Sequence, residues 1–558
     1  MAVIRKRLGD LLIDAGVISQ EQLEKALTAQ KSTKDRLGKT LIQLGYVTEK
    51  SLIEALEVQL GVPHVVLTGL NIKSEIIALV PQAIAERYSI IPIDKCGKKL
   101  TVAMVDPTNF YALDDVRTTS GLDIVPVIAT EKDILRAINE FYGVQALVNK
   151  ASSIIKPEDV ANISDVQTAN DAPVISIVNT IISQAVKERA SDIHIEPTDT
   201  TLRVRYRIDG ALREFFSFPF KTHALLVSRI KIMSDLDIAE RRIPQDGRIK
   251  YVEGNKEYDL RVSTLPTVIG EKIVMRILDR SSVIVDIKSL GFSTHNLDRY
   301  SKLYHQSYGM ILVTGPTGSG KTTTLYSTLT GLNKITENII TVEDPVEYRL
   351  DGINQVQINP KAGLSFAAGL RSILRQDPNI VMLGEIRDGE TADIAIRAAL
   401  TGHLVLSTLH TNDSAGAVSR LIDMGVAPFL VSSSVLGIIA QRLVRVICPE
   451  CKEAYQLEKD SVESEFMGDT YKEGMFIYRG KGCPNCGGTG YRGRLAIHEV
   501  LPISRNIREL ITNHASVDTI KNAAFSEGMI SMKQDGIQKV LEGKTTVKEV
   551  MKVAYADL

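Results

Sequence analysis

No stretch of this 558-residue sequence stays apolar for the ~18–20 residues that a helix needs to cross a bilayer. Charge of one sign is missing too. Lys and Arg number 66 against 67 Asp and Glu, and a net charge of −1 offers no field to gather nucleic acid or an anionic membrane surface. Cysteine is scarce, with five in the chain. Four of the five form two CxxC pairs, which predicts a reduced compartment and a metal rather than disulfides. The first thirty residues are charged throughout and predict no signal peptide. Together these absences predict a cytoplasmic protein. The length excludes a single core, and 44% hydrophobic with 24% charged residues is ordinary globular composition.

What is present is organised by one stretch, Gly315-Pro316-Thr317-Gly318-Ser319-Gly320-Lys321-Thr322, with Thr323 behind it. It fits the phosphate-loop pattern GxxxxGK[ST] in full. The apolar run Met310–Thr314 reads as a buried strand feeding it, and Thr323–Leu329 as the helix that leaves it. Glycines let the backbone aim several N–H groups at one anion, and the helix N-terminus favours negative charge. Lys321 is expected at the β- and γ-phosphates and the Thr322 hydroxyl on Mg²⁺. The chain is therefore expected to bind ATP.

Three more short apolar strands follow, each ending in acidic or histidine residues, as a parallel sheet does where it meets ligand. They are 339–342, ending in Glu343 and Glu347; 379–383, ending in Gly384-Glu385; and 404–408, flanked by His403 and His410. Glu385 is the candidate for Mg²⁺, directly or through water, since Gly384 stands where an Asp is common. Glu343 is preferred over Glu347 for polarising the attacking water, and His410 for reporting the γ-phosphate. Lys321 is the one cation near in sequence, so arginines are expected from the preceding domain, with Arg261 and Arg276 as candidates. The alternative for His410 is a satisfied surface or core residue.

That preceding domain covers 173–284. Its alternating run 202–208 puts Arg203, Arg205 and Arg207 on one strand face, as a solvated edge, a subunit interface or an anion site, and Asp209-Gly210 predicts a hairpin turn. Residues 63–145 read as a small α/β scaffold and 146–172 as a linker. Cys448, Cys451, Cys483 and Cys486 form a CxxC…CxxC set suited to one closed structural zinc site. The alternatives are two redox pairs or free thiols; a nucleic-acid zinc ribbon is opposed by the acidic stretch 458–465. Residues 7–59 hold a repeat. Arg7-Leu8-Gly9 recurs as Arg36-Leu37-Gly38, Gly16 as Gly45, Leu23 as Leu52, Leu27 as Leu56 and Gln30 as Gln59. Each copy reads as two helices around a glycine turn, the second capped by Ser19 or Thr48.

Several of these motifs, in order, resemble the secretion ATPases of type II secretion and type IV pilus systems, over roughly residues 173–555. They are 190–197, the Arg241–Arg248 run, 261–276, the phosphate loop, 340–347, 384–388 and 403–412. The resemblance implies a RecA-like ATPase domain at 285–558 with a zinc-binding insert at about 446–490, and a PAS-like N2 domain at 173–284. It also implies that Arg261 and Arg276 approach the γ-phosphate from N2. It further implies a homohexameric ring, peripheral at the inner membrane, acting on a membrane platform protein, without a nucleic-acid substrate. The tetracysteine set and the long N-terminal region, which retraction motors of the family typically lack, make the chain most similar to pilus-extension members, with type II secretion ATPases as the alternative. An adaptor that binds ATP without hydrolysing it is disfavoured by the intact set of Lys321, Thr322, Glu343, Glu385 and His410. The repeat resembles the MshEN domain, placed here at 1–62, which binds cyclic di-GMP through two such motifs. That implies contacts from Arg7, Leu8, Gly9 and Gln30 and from Arg36, Leu37, Gly38 and Gln59, with leucines 23, 27, 52 and 56 walling the bases. Gly9 and Gly38 are then expected to let backbone approach ligand. The N-terminal region is also the expected contact for an adaptor, and a hairpin pair that only packs is the alternative.

Overall fold

A computed structural model describes residues 8–33, 37–65, 67, 72, 74–138, 142, 172–279 and 286–554. Arg7, Arg36 and nearly all of the expected linker lie outside them. The chain divides into two compact units, Met1–Leu278 with Gly482–Thr489, and Asp279–Lys481 with Gly490–Leu558.

The repeat folds as two helix pairs, α1 (Leu8–Asp14) with α2 (Gln20–Thr33) and α3 (Leu37–Gln43) with α4 (Glu49–Leu60). The glycine turns are equivalent. Gly16 and Gly45 take φ of 68° and 70°, a left-handed conformation that costs a glycine little. Ser19 and Thr48 cap as expected, accepting from the N–H groups of Gln22 and Ser51 at 3.3 and 3.2 Å. Leu23 and Leu52, two of the four leucines expected to wall a ligand, are buried in a core with Leu12, Ile18, Leu41 and Val47. A Cβ at Gly9 would lie 2.8 Å from the Leu23 methyls, and one at Gly38 2.9 Å from Leu52. Those glycines admit a neighbouring helix, because the space over their Cα atoms is already filled by leucine.

The small α/β region has a three-stranded sheet, β1 (Ile90–Cys96), β2 (Lys99–Met104) and β3 (Asp123–Ile128), as expected at 63–145. Next comes a six-stranded sheet, β4 (Asp192–Pro197), β5 (Thr201–Ile208), β6 (Ala211–Pro219), β7 (Gln245–Glu253), β8 (Lys256–Pro266) and β9 (Glu271–Asp279), in the order β6-β5-β4-β9-β8-β7. Helices Ala172–Lys187 and His223–Met233 supply the rest of its core. Asp209 and Gly210 take φ of 48° and 85°, the primed turn that suits a two-residue hairpin. Val204 and Tyr206 are wholly buried, while Arg203 and Arg205 reach Glu196 on β4 at 3.1 and 2.9 Å and Arg207 lies 3.6 Å from Asp192. The arginine row is therefore charge-paired within its own sheet.

The second unit is built on a seven-stranded sheet ordered β12-β11-β13-β14-β10-β15-β18. Its strands are β10 (Gly309–Thr314), β11 (Ile339–Glu343), β12 (Asn354–Gln357), β13 (Ile380–Leu383), β14 (Leu404–Leu409), β15 (Val435–Ile447) and β18 (Tyr491–Pro502). All pairs are parallel except β15 with β18. β10, β11, β13 and β14 are buried along their whole length, which is why they read as unbroken apolar runs rather than alternating ones. The short antiparallel pair β16 (Lys452–Gln456) and β17 (Phe476–Gly480) lies between the two CxxC pairs, within the insert expected at about 446–490.

Candidate functional site

Parallel order places the carboxyl ends of β11, β13, β14 and β10 side by side, and each carries an expected residue. The phosphate loop leaves β10 and enters helix Lys321–Leu332. Gly315, Gly318 and Gly320 have φ of 149°, 79° and 89°, values that side chains resist. Lys321 is only 9% exposed, and its Nζ donates to the carbonyls of Gly315 and Pro316 at 2.8 and 3.1 Å. Burial lowers its pKa to about 8, the charge of Arg442 adds to that, and Glu385 opposes it. Thr322 is exposed beside it, a hydroxyl free to meet a hydrated cation.

Glu385 follows β13, with its carboxylate 2.5 Å from Arg387 and 3.6 Å from His410 Nε2 at the end of β14. The Arg387 hydrogen bond is the main cause holding its pKa below the usual carboxylate range. His410 is held below the ordinary histidine value, first by burial and then by the Lys321 charge, so it presents a neutral ring near pH 7. Arg387 also lies 3.8 Å from Asp344. This corrects the expectation that every cation besides Lys321 comes from the preceding domain. Arg387 stands at the site two residues beyond Glu385, and Arg442 does so because β15, far away in sequence, neighbours β10 in the sheet. Arg261 and Arg276 belong to the first unit. Arg276 bonds Asp192 at 3.2 Å, and Arg261 lies opposite Arg248 across the β7–β8 pair.

Glu343, 3% exposed, accepts from Tyr326 on one oxygen and from Thr341 (2.6 Å) and Gln355 (3.2 Å) on the other. Burial raises its pKa despite those bonds. Both oxygens are thus engaged from within the fold, whereas Glu347 sits half-buried four residues further on.

The donor set for zinc is complete. The sulfur atoms of Cys448, Cys451, Cys483 and Cys486 all lie within 4.8 Å of one another, and those of Cys483 and Cys486 are 3.7 Å apart. Tetrahedral Zn–S bonds of ~2.3 Å require sulfurs roughly 3.8 Å apart, so four thiolates gathered this closely fit that ion. The Cys483 N–H donates to Cys486 Sγ at 3.1 Å, the kind of outer contact that orients a thiolate.

Sequence reading missed Tyr326, Gln441 and Arg442. A lone Gln-Arg pair in an apolar strand gives no local signal. No helix among the described residues is long and apolar enough to cross a membrane.

The family model described as Type II/IV secretion system protein matches residues 167–552, and that described as MshEN domain matches 60–146, starting where the duplicated motif ends. The chain is 46% identical over 555 residues, 98% of each chain, to the type IV pilus assembly ATPase PilB of Myxococcus xanthus. It is 51% identical over 387 residues, 69% of this chain and 76% of the relative, to the type II secretion system ATPase E of Vibrio cholerae. In fold it is similar to the Legionella pneumophila ATPase DotB, with a TM-score of 0.51 at 20% identity over 69% of this chain and 96% of that one. Sheet, phosphate loop and these likenesses agree: the chain belongs to the Type II/IV secretion system protein family and is an ATP-hydrolysing motor ATPase with an MshEN domain.

Proposed function

We propose that this ATPase drives type IV pilus assembly, working as a homohexamer on an inner-membrane platform protein and regulated by cyclic di-GMP. The observation that carries this reading is the extent of similarity to the Myxococcus pilus ATPase, which takes in the N-terminal region as well as the motor. Type II secretion is the second reading, favoured by the higher identity, 51%, to the Vibrio relative over the part they share. A strain carrying Lys321→Ala tests both. Loss of surface pili with extracellular enzyme release intact supports pilus assembly, and the reverse outcome supports secretion.

In the chemistry proposed, the loop amides and Lys321 cradle the phosphates, and Thr322 and Glu385 hold Mg²⁺, which neutralises charge developing on the phosphoryl oxygens. Neutral His410, 3.6 Å from Glu385, is placed to donate to the γ-phosphate. Arg261 and Arg276 add positive charge from the N2 domain. For orienting water the geometry favours Glu347 over Glu343, because three internal donors already hold the Glu343 carboxylate. Comparing kcat of Glu343→Gln and Glu347→Gln decides this. A larger loss in Glu343→Gln, with ATP binding kept, reverses the assignment. One zinc per chain on the four cysteines is expected by metal analysis, and less than half an equivalent removes that ion from the reading.

A further inference from the structure

β10 ends at Thr314, and its partner in the neighbouring parallel strand is Ala440. β15 does not stop there. It runs on to Ile447, so on the β10 side the residues after Ala440, Gln441 and Arg442, lie alongside the phosphate loop, while on the other side they pair with His498 and Ile497 of β18. Both are buried polar side chains, 2% and 8% exposed. Successive strand residues point to opposite faces, and these two divide the surroundings accordingly.

Gln441 faces the loop and its helix. Its Nε2 donates to the Ser319 carbonyl at 2.8 Å, and its Oε1 accepts from Thr324 Oγ1 at 2.7 Å. One carboxamide therefore ties the last turn of the phosphate loop to the first turn of the helix it feeds. The loop is seated directly on this part of β15. A Cβ at Gly315 would lie 2.6 Å from the Gln441 carbonyl oxygen, and one at Gly320 2.8 Å from Gln441 Nε2. Arg442 faces the other way. Its Nη2 donates to the Asn412 carbonyl at 2.7 Å, two residues beyond His410, and its charge bears on Lys321. Thr314 closes the same junction, accepting the Thr411 N–H at 2.9 Å.

We propose that Gln441 is a positioning residue for nucleotide binding, which sets the phosphate loop from beneath by holding Ser319 and Thr324 in register. This rests on the ATPase reading of the site. Gln441 touches no phosphate itself. It fixes the direction of the Ser319–Gly320 peptide, and so of the loop amides that must converge on the anion. Because both ends of its carboxamide are buried, neither bond is replaced by water at no cost when the side chain is removed.

Steady-state ATP turnover by the full-length protein tests this, with wild type showing that the site works and Lys321→Ala showing that turnover belongs to it. Gln441→Leu keeps the volume and removes both bonds. The expected result is a KM for ATP raised about tenfold with kcat within about threefold, since loop order is a binding term rather than a chemical one. Thr324→Val removes one of the two bonds and is expected to raise KM less. Added to Gln441→Leu it should do nothing further, because the partner is already gone. Gln441→Glu keeps the shape and the Thr324 bond but sets a carboxylate against the Ser319 carbonyl. It also is expected to raise KM, and it carries the test if Gln441→Leu does not fold. A KM within twofold of wild type in the folded variant, a fall in kcat at unchanged KM, or independent multiplication of the Gln441→Leu and Thr324→Val effects overturns the proposal.

Discussion

The phosphate loop and the N-terminal repeat both carry glycines at fixed spacing, yet the two sets serve opposite ends. Gly315 and Gly320 lie in backbone conformations that side chains resist, and their missing Cβ atoms let the loop sit directly on β15. Gly9 and Gly38 are ordinary helical residues whose missing Cβ makes room for Leu23 and Leu52. In the first case the glycine shapes a surface for an anion. In the second it makes room for a leucine of the core. A glycine repeated in sequence therefore says that something comes close without saying what.

The largest test of this contrast is at Lys321. Lys321→Ala removes the cation that the loop is built to present, and losses in phosphoryl transfer of this kind reach ~10³-fold. ATPase activity is expected to vanish into background while cyclic di-GMP binding, followed by calorimetry, is unchanged. Retained turnover would break the comparison at its first term.

Within the repeat, charge and packing are separable. Arg7→Ala and Arg36→Ala are expected to weaken cyclic di-GMP binding about ten- to a hundredfold, each removing a charged partner from a phosphate or guanine. Their melting temperatures should stay near wild type. Gly38→Ala should do the reverse. Its new methyl meets Leu52 at 2.9 Å, and overpacking of this sort costs about 1–3 kcal/mol, seen as earlier melting of the N-terminal helices. If Gly38→Ala abolishes binding without loss of helix stability, the glycine faces ligand after all.

The smallest effect sharpens the account of Lys321. Its folded pKa is depressed to about 8, below the ordinary value of 10.5, so between those pH values the unfolded chain binds the extra proton and stability rises with pH. Lys321→Met lacks that slope. Without nucleotide it is expected to melt later than wild type at pH 7, by roughly 2 °C once solvent screening is allowed for, with the two curves converging as pH approaches 10. Parallel curves would mean that Lys321 is not held at a desolvation cost.

Much was legible in the sequence where short segments carry their own geometry. The phosphate loop with the strand that feeds it, the three strands with acidic or histidine ends, the Ser19 and Thr48 caps and the Asp209-Gly210 turn follow from local rules, and each appears where expected. The CxxC pairs announced a four-sulfur cluster because ligand type and spacing limit what can be built. Tertiary structure alone decided the partnerships. That β15 underlies the phosphate loop, that Arg387 joins Glu385 to Asp344, and that Glu343 is enclosed by Tyr326, Thr341 and Gln355 all depend on which strands become neighbours. The same holds for Leu23 and Leu52, whose helical spacing is equally that of a ligand wall and a core. Pairing is set by the burial of whole sheet and helix faces, a sum over many residues, so no single stretch of sequence carries it.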